Sequence, residues 1–371
     1  MIDSHVHLRD GLLSDKETIA HALALACPAG FTAFFDMPNT NPPLTNAEAV
    51  LERFALAEKS IKQAGVSAFY GIYGGLTSDI AQIEKMVLFY KKYFPKIVGF
   101  KMFAGHSTGN MGIVEKEDQR KVYAALKKFD YRGILAVHCE KENLMNNSIF
   151  DIENPITHSL ARPPIAETES IKDQIELMQS EDFKGHLHVC HISTKEGIRL
   201  VAEAKKSGIN ISCGATAHHA LLNIDSYKKS GIFVKMNPPL REKEEQEAVF
   251  NALISGGIDW IESDHAPHTY EDKKKGASGI PGFAGSLILL KELRKAGCSE
   301  KRLDELCGKA VNHIFKLDLS YKVPSNTEID ASLPSLRSGY PFDAFEFFGI
   351  SKFSFLNFIV TLTICTIAYI L

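Results

Sequence analysis

Short apolar runs alternate with longer amphipathic stretches along most of this chain. The short runs are rich in β-branched and aromatic residues and are bounded by turn-forming residues, a pattern that predicts strands. Eight such runs predict strands at Ile2–His7, Thr32–Met37, Ala68–Tyr73, Ile97–Phe103, Ile134–His138, His186–His191, Asn210–Cys213 and Asp259–Glu262. Their alternation with helical patterns is typical of repeated βα units around a parallel sheet.

The amphipathic stretches predict a helix after each of the first seven strands. These helices are predicted at Lys16–Cys27, Asn46–Ala64, Ser78–Tyr93, Lys116–Phe129, Glu167–Ser180, Lys195–Ser207 and Lys243–Ser255, with further helix at Gly285–Ala296 and Arg302–Phe315. Thr45 is predicted to cap the second helix, ahead of Glu48. This order favours an α/β fold, a (β/α)8 or TIM barrel, over a doubly wound sheet. Such a barrel takes about 250 residues or more, which predicts one catalytic domain over residues 1–316.

The segment after the barrel, residues 317–371, has a different composition. Val323–Pro341 is rich in Pro and Ser and predicts loop, so we expect an irregular C-terminal extension, either the remnant of a small β domain or an altered tail. Phe353–Leu371 is uncharged and nearly reaches the ~20 residues that span a bilayer. Its Ser, Asn and Thr residues and the lack of a basic flanking cluster disfavour a membrane anchor, which nevertheless stays open.

Composition narrows the class of function. The chain has 371 residues, of which 45% are apolar, and its formal net charge is -3, so it lacks the basic surface that binds nucleic acid and a small-molecule substrate is expected. Its seven cysteines are scattered without CxxC spacing, which argues against a disulfide framework and against a zinc knuckle. We therefore expect a cytoplasmic protein without a secretion signal.

The candidate chemistry lies at strand ends. His5 and His7 stand two residues apart on a strand, so both side chains point to one face. Alone this pair is equally consistent with two satisfied polar residues. Four further candidates, however, fall in the fourth strand or at the ends of the fifth, sixth and eighth: Lys101, His138, His191 and Asp264. Active sites of TIM barrels are built at the carboxyl ends of the strands.

Imidazoles together with a carboxylate suit a divalent cation such as zinc, and two cations are compatible with this set. A buried Lys101 is a poor ligand while it is protonated. As a neutral amine it can add carbon dioxide, and the two oxygens of the resulting carbamate can bridge two cations. The alternative for Lys101 is an ion-paired lysine of the core.

Seven motifs resemble those of the dihydroorotases, in the amidohydrolase superfamily, in order and in similar spacing over roughly residues 1–315. They are His5-Val-His7-Leu-Arg9, Asp36-Met-Pro-Asn39, Gly99-Phe-Lys101, Val137-His138-Cys-Glu140, Cys190-His191-Ile-Ser-Thr, Lys235-Met-Asn237-Pro-Pro-Leu-Arg241 and Ser263-Asp264-His-Ala-Pro-His268. The resemblance implies a zinc-dependent hydrolase of cyclic amides. The implied reaction is the reversible cyclisation of N-carbamoyl-L-aspartate to L-dihydroorotate and water, in de novo pyrimidine (UMP) biosynthesis.

The resemblance also implies a role for each matching residue. His5, His7 and Asp264 would hold one Zn²⁺ and His138 and His191 a second, with carbamylated Lys101 and a hydroxide between them. Asp264 would carry the proton as the catalytic residue. The substrate carboxylate would be bound by Arg9 and Asn39, and the rest of the ring would contact Asn237, His268 and the backbone near Pro281 and Gly282.

The residues themselves partly support a substrate that carries a carboxylate. A guanidinium two residues beyond His7 matches a carboxylate through two parallel hydrogen bonds. The alternative for Arg9 is a surface arginine, and Asn39 and Asn237, both close to prolines, are equally compatible with plain turn residues.

Two other functions stay open on the sequence. One is another cyclic-amide hydrolase, such as an allantoinase or hydantoinase, whose substrate lacks the carboxylate that Arg9 would bind. The other is a catalytically silent subunit that scaffolds a partner such as aspartate transcarbamoylase, although none of the six candidate ligands is missing. A homodimer is compatible with the sequence. Longer relatives carry several dozen residues before the histidine pair, which here begins at His5.

Overall fold

A computed structural model describes residues 1–107 and 111–348, and eight parallel strands form its centre. Each strand pairs with the next along the chain. The strands are β1 (Ile2–Val6), β2 (Ala33–Asp36), β3 (Phe69–Gly75), β4 (Ile97–Phe103), β5 (Ile134–His138), β6 (His186–Val189), β7 (Ile211–Ala215) and β8 (Trp260–Ile261). The sheet closes through a parallel bridge between Val6 and His265. The predicted barrel is therefore confirmed, with β4 and β5 at their predicted bounds.

The described ranges contain fifteen α-helices, of which the longer ones pack against one another around the sheet. They are α1 (Ile19–Ala26), α2 (Ala47–Ala64), α3 (Ile80–Tyr93), α4 (Lys116–Lys128), α5 (Thr157–Ala161), α6 (Pro164–Ser180), α7 (Lys195–Lys206), α8 (Ala217–Leu221), α9 (Ser226–Ser230), α10 (Lys243–Ser255), α11 (Tyr270–Lys274), α12 (Phe283–Lys295), α13 (Glu300–Asp304), α14 (Ala310–Phe315) and α15 (Asn326–Ser338). The predicted cap of the second helix is wrong, because Asn46 and not Thr45 accepts the hydrogen bond from the amide of Ala49. Asn is the better cap of the two residues.

Aromatic side chains fill the barrel on the amino-terminal side of the strands. Phe35, Tyr73 and Trp260 project into the interior and are fully buried. Phe315, at the end of α14, packs against all three rings. Within the part of the chain that the structure describes, these large side chains fill this end, so polar groups inside the barrel are open to solvent at the carboxyl ends of the strands.

Several strands end where the backbone leaves the extended conformation. β6 stops at Val189 rather than at the predicted His191, because His191 adopts a φ of 37°. Arg9, after β1, and Asp264, after β8, have φ values of 47° and 45°. Left-handed backbone at residues other than Gly costs free energy and concentrates at functional sites.

The structure replaces the predicted loop at Val323–Pro341 with helix α15. Ser325 and Glu328 form a capping box, each side chain accepting a backbone hydrogen bond of the other. Ile329, Leu333 and Leu336 form a buried stripe, and the helix packs on α12 and α1. The prediction was wrong because it weighed Pro and Ser content above this i, i+4, i+7 spacing; Pro334 lies in the helix on its exposed side.

The chain past α15 returns to the barrel wall. Phe345 is fully buried against Gly285 of α12, where a Cβ atom would lie 2.3 Å from its ring. Within the described ranges, no helix combines the length and the hydropathy that a membrane span requires. The uncharged run Phe353–Leu371, with the alternatives of an anchor, buried strands or an altered tail, lies outside the described residues.

We expect the replacement Ser325→Ala to lower the free energy of unfolding by about 1 kcal/mol, because it removes the hydroxyl of the capping box. Urea denaturation followed by circular dichroism measures this loss. Ser335→Ala, at an exposed position inside the same helix, is the matched control and should be neutral or slightly stabilising. Equal stability of Ser325→Ala and the parent would contradict the assigned cap.

Candidate active site

A cleft opens at the carboxyl ends of the strands. Its walls come from both ends of the sequence, because successive strands bring their last residues to one rim. The cleft is lined by His5, His7, Arg9, Asn39, Phe103, Ser107, His138, His191, Asn237, Asp264, Ala266, Ser278 and Gly279. Eight of the predicted site residues are therefore brought together here.

His5, His7 and Asp264 form one cluster of possible ligands. Their ligand atoms all lie within 4.8 Å of one another. Asp264 Oδ1 is 3.0 Å from His7 Nε2 and 3.4 Å from His5 Nε2. Burial opposes ionisation of Asp264, but its contact with His7 and the other neighbouring imidazoles outweighs this effect, so its pKa lies below the usual range. Burial and the nearby Lys101 lower the pKa of His5 to about 4, which keeps this ring neutral.

Asn39 determines which nitrogen of His7 faces the cluster. Its side-chain oxygen lies 2.8 Å from His7 Nδ1, so in this orientation Nδ1 carries the proton and donates it. The lone pair of Nε2 then points at the Asp264 carboxylate, an arrangement that a cation or a proton between the two atoms stabilises. The donor set therefore fits a divalent cation. Asn39, predicted only to bind substrate, also orients His7.

His138 and His191 form the second cluster, with 3.2 Å between Nδ1 of the first and Nε2 of the second. Burial lowers the pKa of both rings, so both are neutral, the form that binds metal. His138 Nε2 is 2.9 Å from the ionised Glu140 and donates to it, which leaves the Nδ1 lone pair directed at His191. The ring of His191 lies 5.1 Å from that of His5, so the two clusters are continuous.

Lys101 is completely buried in β4 beside these clusters. Its Nζ atom lies 2.9 Å from Cys190 Sγ and 5.1 Å from the centre of the Phe103 ring. Within residues 1–107 and 111–348, no carboxylate lies within ion-pair distance of it, so the alternative of an ion-paired core lysine is not supported. Burial raises the pKa of Cys190 to about 12, so this neighbour is a neutral thiol.

Two buried glutamates support the histidines, and sequence reasoning missed both. Glu140 contacts His138 and forms an ion pair with Arg162, whose charge holds the pKa of Glu140 below its usual range against the effect of burial. Glu262 accepts a hydrogen bond from the backbone amide of His191 and lies 3.1 Å from His188 Nε2. Their positions in the sequence could have indicated this role, because each glutamate stands two residues from a candidate ligand and so lies on the same face of the strand.

Arg9 lies inside the cleft wall rather than on the surface. Its Nε donates to the carbonyl of Pro267 (3.2 Å), and Nη2 lies 3.4 Å from His268 Nε2. The backbone carbonyl of Arg9 accepts a 2.6 Å hydrogen bond from Arg53, which is itself paired with Asp36. Burial lowers the pKa of Arg9 to about 10, so the guanidinium stays charged at neutral pH.

Three other residues predicted to contact the substrate do not line the cleft. His268 lies beside Arg9, with its Nε2 3.0 Å from the carbonyl of Ser278. Neither His268 nor Pro281 or Gly282 is among the described residues that line the cleft. Gly282 is the N-cap residue just before α12, and its amide donates to His265 Nδ1. The same loop instead presents Ser278 and Gly279 to the cleft. The reason is that Lys273 donates to the carbonyls of Lys235, Ala277 and Gly279 and so holds this part of the loop against the rim.

Curated relatives of similar sequence are dihydroorotases, although no protein-family model matches the chain. The Brevibacillus brevis dihydroorotase is 34% identical over 327 residues, which cover 85% of this chain and 73% of that protein. The Methanosphaera stadtmanae dihydroorotase is 30% identical over 351 residues, covering 91% and 75%. The Lactobacillus acidophilus dihydroorotase is 32% identical over 288 residues, and the match spans 64% of its length.

Solved structures share the fold at lower identity. L-hydantoinase from Arthrobacter aurescens superposes with a TM-score of 0.71 at 24% identity, covering 85% of this chain and 70% of that one. Dihydroorotase from Campylobacter jejuni gives a TM-score of 0.65 at 22% identity, covering 86% and 84%. At these identities the likeness concerns the architecture alone.

We expect Glu140→Gln to lower the free energy of unfolding by about 3–5 kcal/mol, because it leaves the buried Arg162 guanidinium without its counter-charge. Chemical denaturation measures this loss. The matched control is Glu196→Gln, which breaks the half-exposed pair with Arg199 and should cost less than about 1 kcal/mol. The double replacement Glu140→Gln with Arg162→Met should recover part of the loss; equal costs for the buried and the exposed pair would contradict this account.

Proposed function

The chain belongs to the dihydroorotase family, and on that premise we propose that it catalyses the reversible cyclisation of N-carbamoyl-L-aspartate to L-dihydroorotate and water. The observation that carries the proposal is the convergence of two imidazole clusters, an ionised aspartate and a buried arginine in one cleft. The reaction would serve pyrimidine biosynthesis. The free thiols of the described cysteines support a reducing cytoplasm as its location.

The proposed cofactor is a pair of zinc ions. His5, His7 and Asp264 would hold one ion and His138 and His191 the other, with carbamylated Lys101 between them. Bound zinc lowers the pKa of water and polarises an amide carbonyl. The neutral imidazoles and the unpaired, buried amine of Lys101 support this assignment.

Arg9 would hold the substrate by its carboxylate. The guanidinium is charged and buried, and the fixed backbone of Arg9 directs it, so its hydrogen bonds with an acid are formed with little loss of side-chain entropy. Asn39 lines the cleft on the same side and is proposed to share this carboxylate. A cyclic amide without a carboxylate would leave the charge of Arg9 uncompensated.

Asp264 would move the proton. Its depressed pKa keeps it ionised at neutral pH, so it can accept a proton from the attacking water. It would pass this proton to the ring nitrogen as the carbon–nitrogen bond breaks, so that hydroxyl is added to the carbonyl carbon and hydrogen to the nitrogen. In the direction of cyclisation, the same carboxylate takes the proton from that nitrogen.

We expect Asp264→Asn to lower kcat for hydrolysis of dihydroorotate by about 10²–10⁴-fold, the usual contribution of a positioned acid–base group. Metal content is measured on the same samples, so that loss of the proton carrier is separated from loss of zinc. The matched control is Asp130→Asn, at an exposed turn where φ is 51° and Asn is tolerated. Full activity of Asp264→Asn with metal bound would rule out the proton-carrying role.

We expect Arg9→Gln to lower kcat/KM for dihydroorotate by about 10- to 100-fold, because one charged hydrogen-bonding group is lost. The value for dihydrouracil, which lacks the carboxylate, should change little. Arg132→Gln, on the exposed surface, is the control. A parent enzyme that prefers dihydrouracil would instead favour the hydantoinase-like alternative.

A further inference from the structure

A chain of hydrogen bonds behind the cleft ends on the side-chain oxygen of Asn237. Asn237 lines the cleft and is half-buried, between the loop that carries Ser278 and the short helix α5. His158 of α5 lies 2.9 Å from Asn237 Oδ1, and Ser278 Oγ lies 3.3 Å from the same oxygen. Two donors from different segments thus converge on one atom.

The partners of His158 determine its tautomer. Its Nε2 atom is also 3.0 Å from the backbone carbonyl of Met236, which can only accept, so Nε2 must carry the proton. Burial lowers the pKa of His158 to about 3, so at neutral pH the ring carries a single proton. The Asn237 atom beside this N–H must therefore be the amide oxygen, since the NH₂ group would meet a donor there.

Lys235 fixes the direction of the second hydrogen bond. Its ammonium group donates to Ser278 Oγ at 2.6 Å and to the carbonyl of Gly276 at 2.8 Å. Because the hydroxyl oxygen accepts from Lys235, its own hydrogen is available for Asn237 Oδ1. Both chains of donors therefore lead to the same orientation of the amide.

The helix that carries His158 is tied to the loop that carries Asn237. Ser159 Oγ donates to the carbonyl of Leu240 at 2.7 Å. The Phe150 ring packs edge-on against His158 with 5.6 Å between ring centres. His158 is buried, so its hydrogen bonds with Asn237 are shielded from competing water.

We propose that His158 is a positioning residue which makes Asn237 a dedicated hydrogen-bond donor to the cleft, so that the site selects a ligand with a carbonyl oxygen at this position. The amide oxygen accepts hydrogen bonds from His158 and Ser278, so Asn237 presents its NH₂ group to the cleft as a donor. A cyclic ureide presents such an oxygen, whereas a ring with an amino group there would meet donor against donor. The ligand class rests on the proposed function; the orientation of Asn237 does not.

The test compares His158→Leu, which lacks a donor, with His158→Gln, whose amide can replace Nε2–H. We expect His158→Leu to raise KM for dihydroorotate by about 3- to 10-fold with little change in kcat, and His158→Gln to remain close to the parent. Each variant is also made in an Asn237→Ala background. There the Leu replacement should add nothing, because the group through which His158 acts is gone.

A second readout does not depend on catalysis. Nitrogen-15 NMR of histidine-labelled protein, with His158 assigned from its absence in His158→Gln, should report the Nε2–H tautomer at neutral pH. The Nδ1–H tautomer, or a loss on His158→Leu that is equal in both backgrounds, would overturn the inference. If the parent does not open dihydroorotate, the proposed function fails, and the tautomer alone decides the orientation of Asn237.

Discussion

Removal of ionisable side chains from water is the constraint on which the carboxyl-terminal end of this barrel depends. Five imidazoles or carboxylates stand within contact of one another, and burial alone would favour their neutral forms. Burial does keep His5, His138 and His191 neutral. The carboxylates of Asp264, Glu140 and Glu262 keep their charge because the groups beside them favour the ionised form. Neutral rings beside ionised acids form an environment in which a cation supplies the missing positive charge.

The backbone at the strand ends also adopts conformations that cost free energy. Arg9, His191 and Asp264 adopt left-handed conformations, which cost about 1–3 kcal/mol each when the residue is not Gly. The side chain of His191 turns toward the cleft where an extended strand would have placed it on the opposite face from Cys190. The buried Arg53, anchored on Asp36 and bonded to the carbonyl of Arg9, holds one of these turns in place.

The sequence predicted the barrel and the convergence of the ligand candidates because both follow from periodicity. Strand alternation places His5 and His7 on one face, and parallel strands bring their ends to one rim. Interactions between distant segments were not predictable in this way. That Asn39 orients His7, and that Lys273 turns Ser278 toward the cleft in place of Gly282, depends on contacts made only after folding. Helix α15 was missed because composition was weighed above spacing.

Among the described residues, the aromatic side chains of Phe315, Phe35, Tyr73 and Trp260 fill the amino-terminal end of the barrel, and the histidine clusters open at the other end. Any ligand of the cleft therefore enters and leaves by the same route as the solvent. A bound molecule blocks entry of the next one and of solvent, so it must leave the cleft before another can bind.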